Sequence, residues 1–205
     1  MDGAIVLAGG GSRRMGRDKS WLELDGRPLL AHVIELLGRR CAPIVVSARA
    51  GQELPVVAAS LLRVDDPVDD AGPLIGLRAA LGLLDARGVA RAYLSSCDAA
   101  GLSEAHVNFM FDSLDRLADL DGAVAAVPCD ADGRRHPLAA ALAVPAMLAR
   151  VEARIAANDH RLQALFGGAE VLAIASAELP DPEVLAACNT PQEWQALLTR
   201  RAARR

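Results

Sequence analysis

The chain has 205 residues, 52% of them apolar, and a net charge of −4. Such a length suits one α/β domain with a sizeable core, and the acidic balance argues against a polynucleotide partner, which asks for a basic excess. The apolar residues fall in runs too short to span a bilayer and nothing reads as a secretion signal, so a cytoplasmic protein with no membrane contact is expected.

In chain order, strand-like and helix-like stretches alternate. Residues 4–8 form an apolar strand, and residues 28–39 a helix with proline early and Gly38 near its end. Strands follow at 43–47 and 61–64, a helix at 74–86, and a strand at 91–96. Residues 103–117 read as a helix with Ser103 as N-cap, and 122–127 as a strand. Beyond Asp130 the pattern is less regular: a strand at 136–142, a helix at 145–157, a late strand at 170–174 and a final helix at 191–205. The alternation predicts a single domain of Rossmann-like form, an open, mostly parallel twisted sheet with helices on both faces. Ligands of such sheets sit outside the carboxyl ends of the strands.

The first strand empties into such a place. It is followed by Gly9, Gly10, Gly11 and Ser12, then by Arg13, Arg14, Arg17 and Lys19. Glycines let backbone N–H groups approach an anion closely; arginine adds a charged fork and lysine a mobile point charge. The segment therefore suits a nucleotide phosphate. It is not a Walker A loop, because Arg17-Asp18 stands where Lys-Ser/Thr is required. Nor is it the dinucleotide fingerprint, because Arg14 holds the third glycine's place.

Other candidates lie at strand ends. Asp98 closely follows the strand at 91–96, where it is either a metal-binding carboxylate or a turn residue bonded to its own backbone. Asp65, Asp66, Asp69 and Asp70 precede Gly72-Pro73-Leu74-Ile75-Gly76-Leu77, and Gly76 suits close helix packing or close nucleotide approach. Thr190-Pro191 reads as the N-cap and first residue of a helix. His136 is expected to be structural, the basic tail a solvated helix end. Cys41, Cys97, Cys129 and Cys188 form no C-x-x-C pair, so they are expected to be reduced, without zinc.

The string L-A-G-G-x-S-x-R-M-G-x-D-K, from Leu7 to Lys19, resembles the nucleotidyltransferase loop of the molybdenum cofactor guanylyltransferases, the MobA family. Similar family segments recur at Leu22–Leu30, Gly72–Leu77, Cys97-Asp98, His136-Pro137-Leu138 and Asn189-Thr190-Pro191. The resemblance implies transfer of GMP from GTP to the phosphate of molybdopterin with release of pyrophosphate. It implies nucleotide binding by Leu7, Ala8, Gly9, Gly10, Gly11, Ser12, Lys19, Asp66 (by spacing in preference to Asp65) and Gly76. Lys19 and Arg14 would neutralise phosphate charge in catalysis, Asp98 would bind Mg²⁺, and Asn189 would lie on the acceptor side. Expected partners are GTP, molybdopterin, and proteins of cofactor biosynthesis or molybdoenzyme maturation. The chain departs from the family at Ala100, where proline is usual, and at Ser47 and Ala187, where asparagine is usual. The alternatives are a CTP-dependent cytidylyltransferase, a sugar-1-phosphate nucleotidyltransferase, or a cofactor carrier with weak activity. Gly9, where the cytidylyl branch tends to have alanine, leaves room for a purine.

Overall fold

The structure, a computed structural model, describes residues 1–9, 18–57, 61–66, 72–116, 123–186 and 190–202. Along the chain run β1 (Asp2–Leu7), β2 (Glu23–Leu24), β3 (Arg27–Pro28), α1 (Leu29–Gly38), β4 (Ile44–Arg49), β5 (Leu61–Asp66) and α2 (Pro73–Asp85). They are followed by β6 (Arg91–Ser96), α3 (Glu104–Asp115), β7 (Ala125–Cys129), β8 (Ala139–Ala143), α4 (Val144–Ala156), β9 (Val171–Ala175) and α5 (Pro191–Ala202). Each predicted element has its counterpart, with ends moved by a few residues. Ser103 caps α3 by accepting the His106 N–H. Thr190 caps α5, its hydroxyl accepting the Glu193 N–H while the Glu193 carboxylate accepts the Thr190 N–H. Among the described residues no helix is long and apolar enough to cross a membrane.

Periodicity alone does not reveal the β2–β3 hairpin. Its turn, Asp25-Gly26, has positive φ at both residues (54° and 74°), the geometry for which Asp-Gly is favoured.

Seven strands form one sheet in the order β5-β4-β1-β6-β8-β7-β9. β1 pairs in parallel with both β4 and β6, β4 with β5, and β7 with β9. β8 alone runs against its neighbours. The reason is local: after Cys129 the chain reverses within a few residues, with the Asp130 N–H donating to Arg134 O (2.8 Å) and the Gly133 N–H to Asp130 O (2.9 Å). So short a connection can join only antiparallel strands. The carboxyl ends of β5, β4, β1, β6, β7 and β9 therefore share one edge of the sheet.

Side chains alternate across the sheet, as the pleat requires. Ala4, Val6 and Ala8 face a layer with α1, α3 and α5, whereas Ile5 faces a layer with α2 and α4. Both layers are built of buried apolar side chains, so the sheet is covered on both faces, as predicted.

At the opposite edge Asp2 is buried, yet its carboxylate is bridged in bidentate fashion by Arg91 (2.8 and 2.9 Å) and by Arg40 at 2.5 Å. Both guanidinium groups lie over the Phe111 ring. Charges so buried persist only when paired.

One buried polar group is half satisfied. His106 is fully buried; Nε2 lies 3.3 Å from Ala139 O, and among the described residues Nδ1 has no partner. Burial pushes its pKa down to about 4 from 6.5, against the Ala139 hydrogen bond and the charge of Asp181, which favour the proton. The unfolded chain binds this proton below about 6.5 and the folded chain only below about 4, so folding stability falls as pH drops through that window. Urea titrations at pH 7 and pH 4.5 are expected to show a loss reaching about 2–3 kcal/mol from this side chain, and His106→Gln should flatten it.

Candidate active site

The site is built where three parallel strands end side by side. Leu7 is the last residue of β1, and its carbonyl accepts the Cys97 N–H at 3.1 Å, just past β6. The Ala8 N–H donates to Ser47 O of β4 at 2.7 Å. These bonds extend the parallel ladder by one residue on each side, so that Gly9 leaves the sheet between β4 and β6.

Gly10, Gly11, Ser12 and Arg14 lie outside the described residues, as does Asn189. The chain is described again from Asp18, which caps a 3-10 turn, Lys19–Trp21: Asp18 Oδ1 accepts the Ser20 N–H at 3.0 Å and the Ser20 hydroxyl at 2.7 Å. This turn sends Lys19 back toward the mouth. Its Nζ stands 2.5 Å from Asp98 Oδ2, across 79 residues of chain, with both side chains largely shielded. Lys19 and Asp98, taken from different parts of the sequence, are thus brought to one place.

The loop carrying Asp98 is tightly held. The Ala100 N–H donates to Asp98 O at 2.8 Å, a bond that proline, lacking the donor, cannot make. Ala100 is fully buried. A Cβ on Gly101 would collide with the Glu183 carbonyl and stand 3.1 Å from Val184 Cα, so only glycine lets the loop lie against the turn Pro182–Leu185. The departure from proline at this position therefore comes with its own fastening. Cys97, next to Asp98, is buried, and burial above all, with the charges of Asp98 and Asp18, pushes its thiol up to about 12. It is an inert packing residue.

On the other flank β5 extends past the predicted Val64 to Asp66, placing the two acidic candidates on opposite faces. Asp65 is exposed and bonded to Arg63 Nε at 2.7 Å. Asp66 is half-buried and turned toward α2: its Oδ2 lies 3.8 Å from where a Cβ on Gly76 would be. That Cβ would overlap the Ser47 hydroxyl. Gly76 thus serves close packing of α2 on β4, and Ser47, Gly76 and Asp66 form one corner. A Cβ on Gly9 would stand 3.5 Å from Arg49 N, in ordinary contact, over the end of β4.

Two functional-edge residues escape motif reading. Gln52, in the turn after β4, is buried and bonded to both Ala8 and Asp18. Asp18 sits inside the recognised string but shows its capping role only in three dimensions. A polar residue three positions beyond a strand carries no pattern of its own. His136 lies at the same edge, its Nε2 2.8 Å from Asp130 Oδ2, where the partner explains its placement.

The corner at Gly76 is testable by stability alone. Alanine is ordinarily better than glycine in a helix by about 1 kcal/mol, yet Gly76→Ala is expected to destabilise by about 1–3 kcal/mol through overlap with Ser47. In a Ser47→Ala background the same change should become neutral or stabilising, as read from denaturant midpoints.

Comparison with known proteins agrees with this architecture. Residues 4–172 match the MobA-like NTP transferase domain. A probable molybdenum cofactor guanylyltransferase of Mycobacterium tuberculosis is 36% identical over 176 residues, covering 85% of this chain and 83% of that one. Among solved structures, molybdopterin-guanine dinucleotide biosynthesis protein A from Archaeoglobus fulgidus superposes with a TM-score of 0.70 at 18% identity, covering 99% of this chain and all (100%) of that one. The 2-C-methyl-D-erythritol 4-phosphate cytidylyltransferase of Thermus thermophilus superposes at 0.67 with 16% identity, covering 97% of this chain and 100% of that one. At such identities the superpositions speak for the fold alone, which this chain shares with both structures. With the matched domain spanning most of the chain, from β1 through the start of β9, the chain belongs to the MobA-like NTP transferase family and is a nucleotidyltransferase.

Proposed function

We propose that this nucleotidyltransferase moves GMP from GTP to the terminal phosphate of molybdopterin. The observation that carries the reading is the convergence of Lys19 and Asp98, 2.5 Å apart, on the edge where the chain leaves β1 at Gly9. A cation and a carboxylate at that edge are what a triphosphate and its metal require.

In the reaction an acceptor phosphate oxygen forms a bond to the α-phosphorus of GTP. The bond from that phosphorus to the α–β bridging oxygen breaks, and pyrophosphate leaves with the electron pair. Lys19 would follow the negative charge onto the β- and γ-phosphates, a task suited to a flexible ammonium. Arg14 would add a second charge. The glycines and Ser12 would offer backbone N–H groups. Catalysis of this type rests on positioning and charge neutralisation rather than on covalent chemistry by the protein.

Mg²⁺ fits the residues present. It typically takes one or two carboxylates and shares the substrate's phosphates. Asp98 would hold it, and among the described residues no group of three or more His, Cys, Asp and Glu forms a cage for another metal. When bound, it supplies charge neutralisation at the phosphates.

Guanine is favoured by the corner at Asp66. A carboxylate can accept two parallel N–H bonds from the Watson–Crick edge of guanine, which presents N1–H beside N2–H₂, whereas cytosine offers only its N4 amine. Gly9, with no side chain of its own, would leave room for a purine. The guanylyltransferase name of the mycobacterial relative supports the same choice over CTP and over a sugar 1-phosphate acceptor. The joint presence of Lys19 and Asp98 favours an enzyme over a carrier.

Calorimetric titration with GTP, CTP and UTP in Mg²⁺ should give at least about tenfold preference for GTP, and preference for CTP would sink the reading. Asp66→Asn is expected to erode that preference, while Asp65→Asn leaves it intact. Lys19→Ala should lower the transfer rate about a hundredfold or more, and Asp98→Asn should abolish its Mg²⁺ dependence. A Lys19→Ala rate within a few-fold of wild type would refute the phosphate assignment.

A further inference from the structure

The glycine-and-cation segment leaves the sheet at Ala8 and is described again at Asp18. Both ends are held by one side chain from elsewhere. Gln52 Nε2 donates to Ala8 O at 3.1 Å and to Asp18 Oδ2 at 2.7 Å, and its Oε1 accepts the Arg49 N–H at 3.0 Å. The orientation of this amide is chemically determined. If it were flipped, its oxygen would face a carbonyl and a carboxylate while its NH₂ faced an N–H donor. The residue is itself fixed on β4's end: the Gln52 N–H donates to Arg49 O at 3.0 Å, and Gln52 O accepts from Arg63 Nη1 at 2.9 Å. It is buried, with 9% of its surface exposed.

From Asp18 the path continues to the chemistry. One Asp18 oxygen takes the Gln52 bond and lies 3.6 Å from Arg49 Nη2, while the other caps the turn that presents Lys19 to Asp98. A shift of Asp18 is a shift of Lys19. We infer that Gln52 is a positioning residue for nucleotidyl transfer. It ties the two ends of the phosphate segment together and, through Asp18, sets where the Lys19 ammonium stands. This inference rests on the proposed role of Lys19 at the triphosphate. No other side-chain type of this size does the same work. Glutamate would set a carboxylate against Asp18 and the Ala8 carbonyl, and leucine would remove all three hydrogen bonds that the amide makes.

The test is a double-mutant cycle on the full chain, read as the Kd for GTP with Mg²⁺ by calorimetry beside the melting temperature without nucleotide. Gln52→Glu is expected to weaken GTP about tenfold when Lys19 is present. In the Lys19→Ala background the same change should cost no more than about twofold, because the group it positions is gone. Gln52→Leu reads the same cycle if Gln52→Glu does not fold. Equal losses in both backgrounds would make Gln52 a structural residue only and overturn the inference, as would neutrality of both variants or loss of the folded state in both. If Lys19→Ala weakens GTP and the Gln52 variants do not, the inference alone fails. If the wild-type chain binds no GTP at all, the functional reading fails and this inference falls with it.

Discussion

Everything at the functional edge depends on β1 being paired in parallel on both sides. That register puts Leu7 and Ser96, the last residues of β1 and β6, level with Ser47 of β4. The phosphate segment after β1, the corner of Ser47, Asp66 and Gly76, and the carboxylate after β6 then lie on one edge. Parallel pairing demands a crossover between strands, and the crossovers from β1 to β4, from β5 to β6 and from β7 to β9 carry α1, α2 and α4, which cover the sheet. The burial that stabilises the fold and the geometry that assembles the site are therefore one arrangement. The Asp2 cluster at the far edge pins β1 to β6 and α1's end to the same point, holding that register from below.

Electrostatics at the mouth follow the same logic of shared positions. Lys19 and Asp98 are each shielded enough that the other's charge matters. Each is also the group that substrate phosphates or a hard cation would engage. A side chain that must serve an anion benefits from a carboxylate that keeps it gathered at the edge. The neighbouring Cys97 shows the converse. Burial first, then the charges of Asp98 and Asp18, outweigh the opposing charge of Lys19 and hold it as a neutral thiol.

Much of this was legible in the sequence, because strands and helices here obey their periods and because the loop string is long and gapless. Asp98 could be placed at a strand end by counting. Spacing to Gly72 favours Asp66 over Asp65, and β5's two-residue extension puts the two on opposite faces of a strand. What could not be read were contacts between segments distant in sequence. Gln52 has meaning only once Ala8 and Asp18 are in space. Ser47, noted as a missing asparagine, is the group that Gly76 must accommodate. Ala100, noted as a missing proline, makes a hydrogen bond with the loop's own backbone. At Ala100 the departure from the family pattern is matched by a local hydrogen bond that periodicity and motif cannot show.

The reversed strand β8 has a consequence for how such a chain can diverge. Because β8 runs against its neighbours, it is entered by the tight hairpin at 130–134 rather than by a helical crossover. That hairpin opens on the functional edge, beside the ends of β7 and β9 and away from β4 and β5. Surface hairpins tolerate changes of length and sequence that crossovers do not. One half of the edge is thus bound rigidly to the covering helices, while the other can be remodelled locally. A fold so divided can keep one part of its edge unchanged across a lineage while the other part changes.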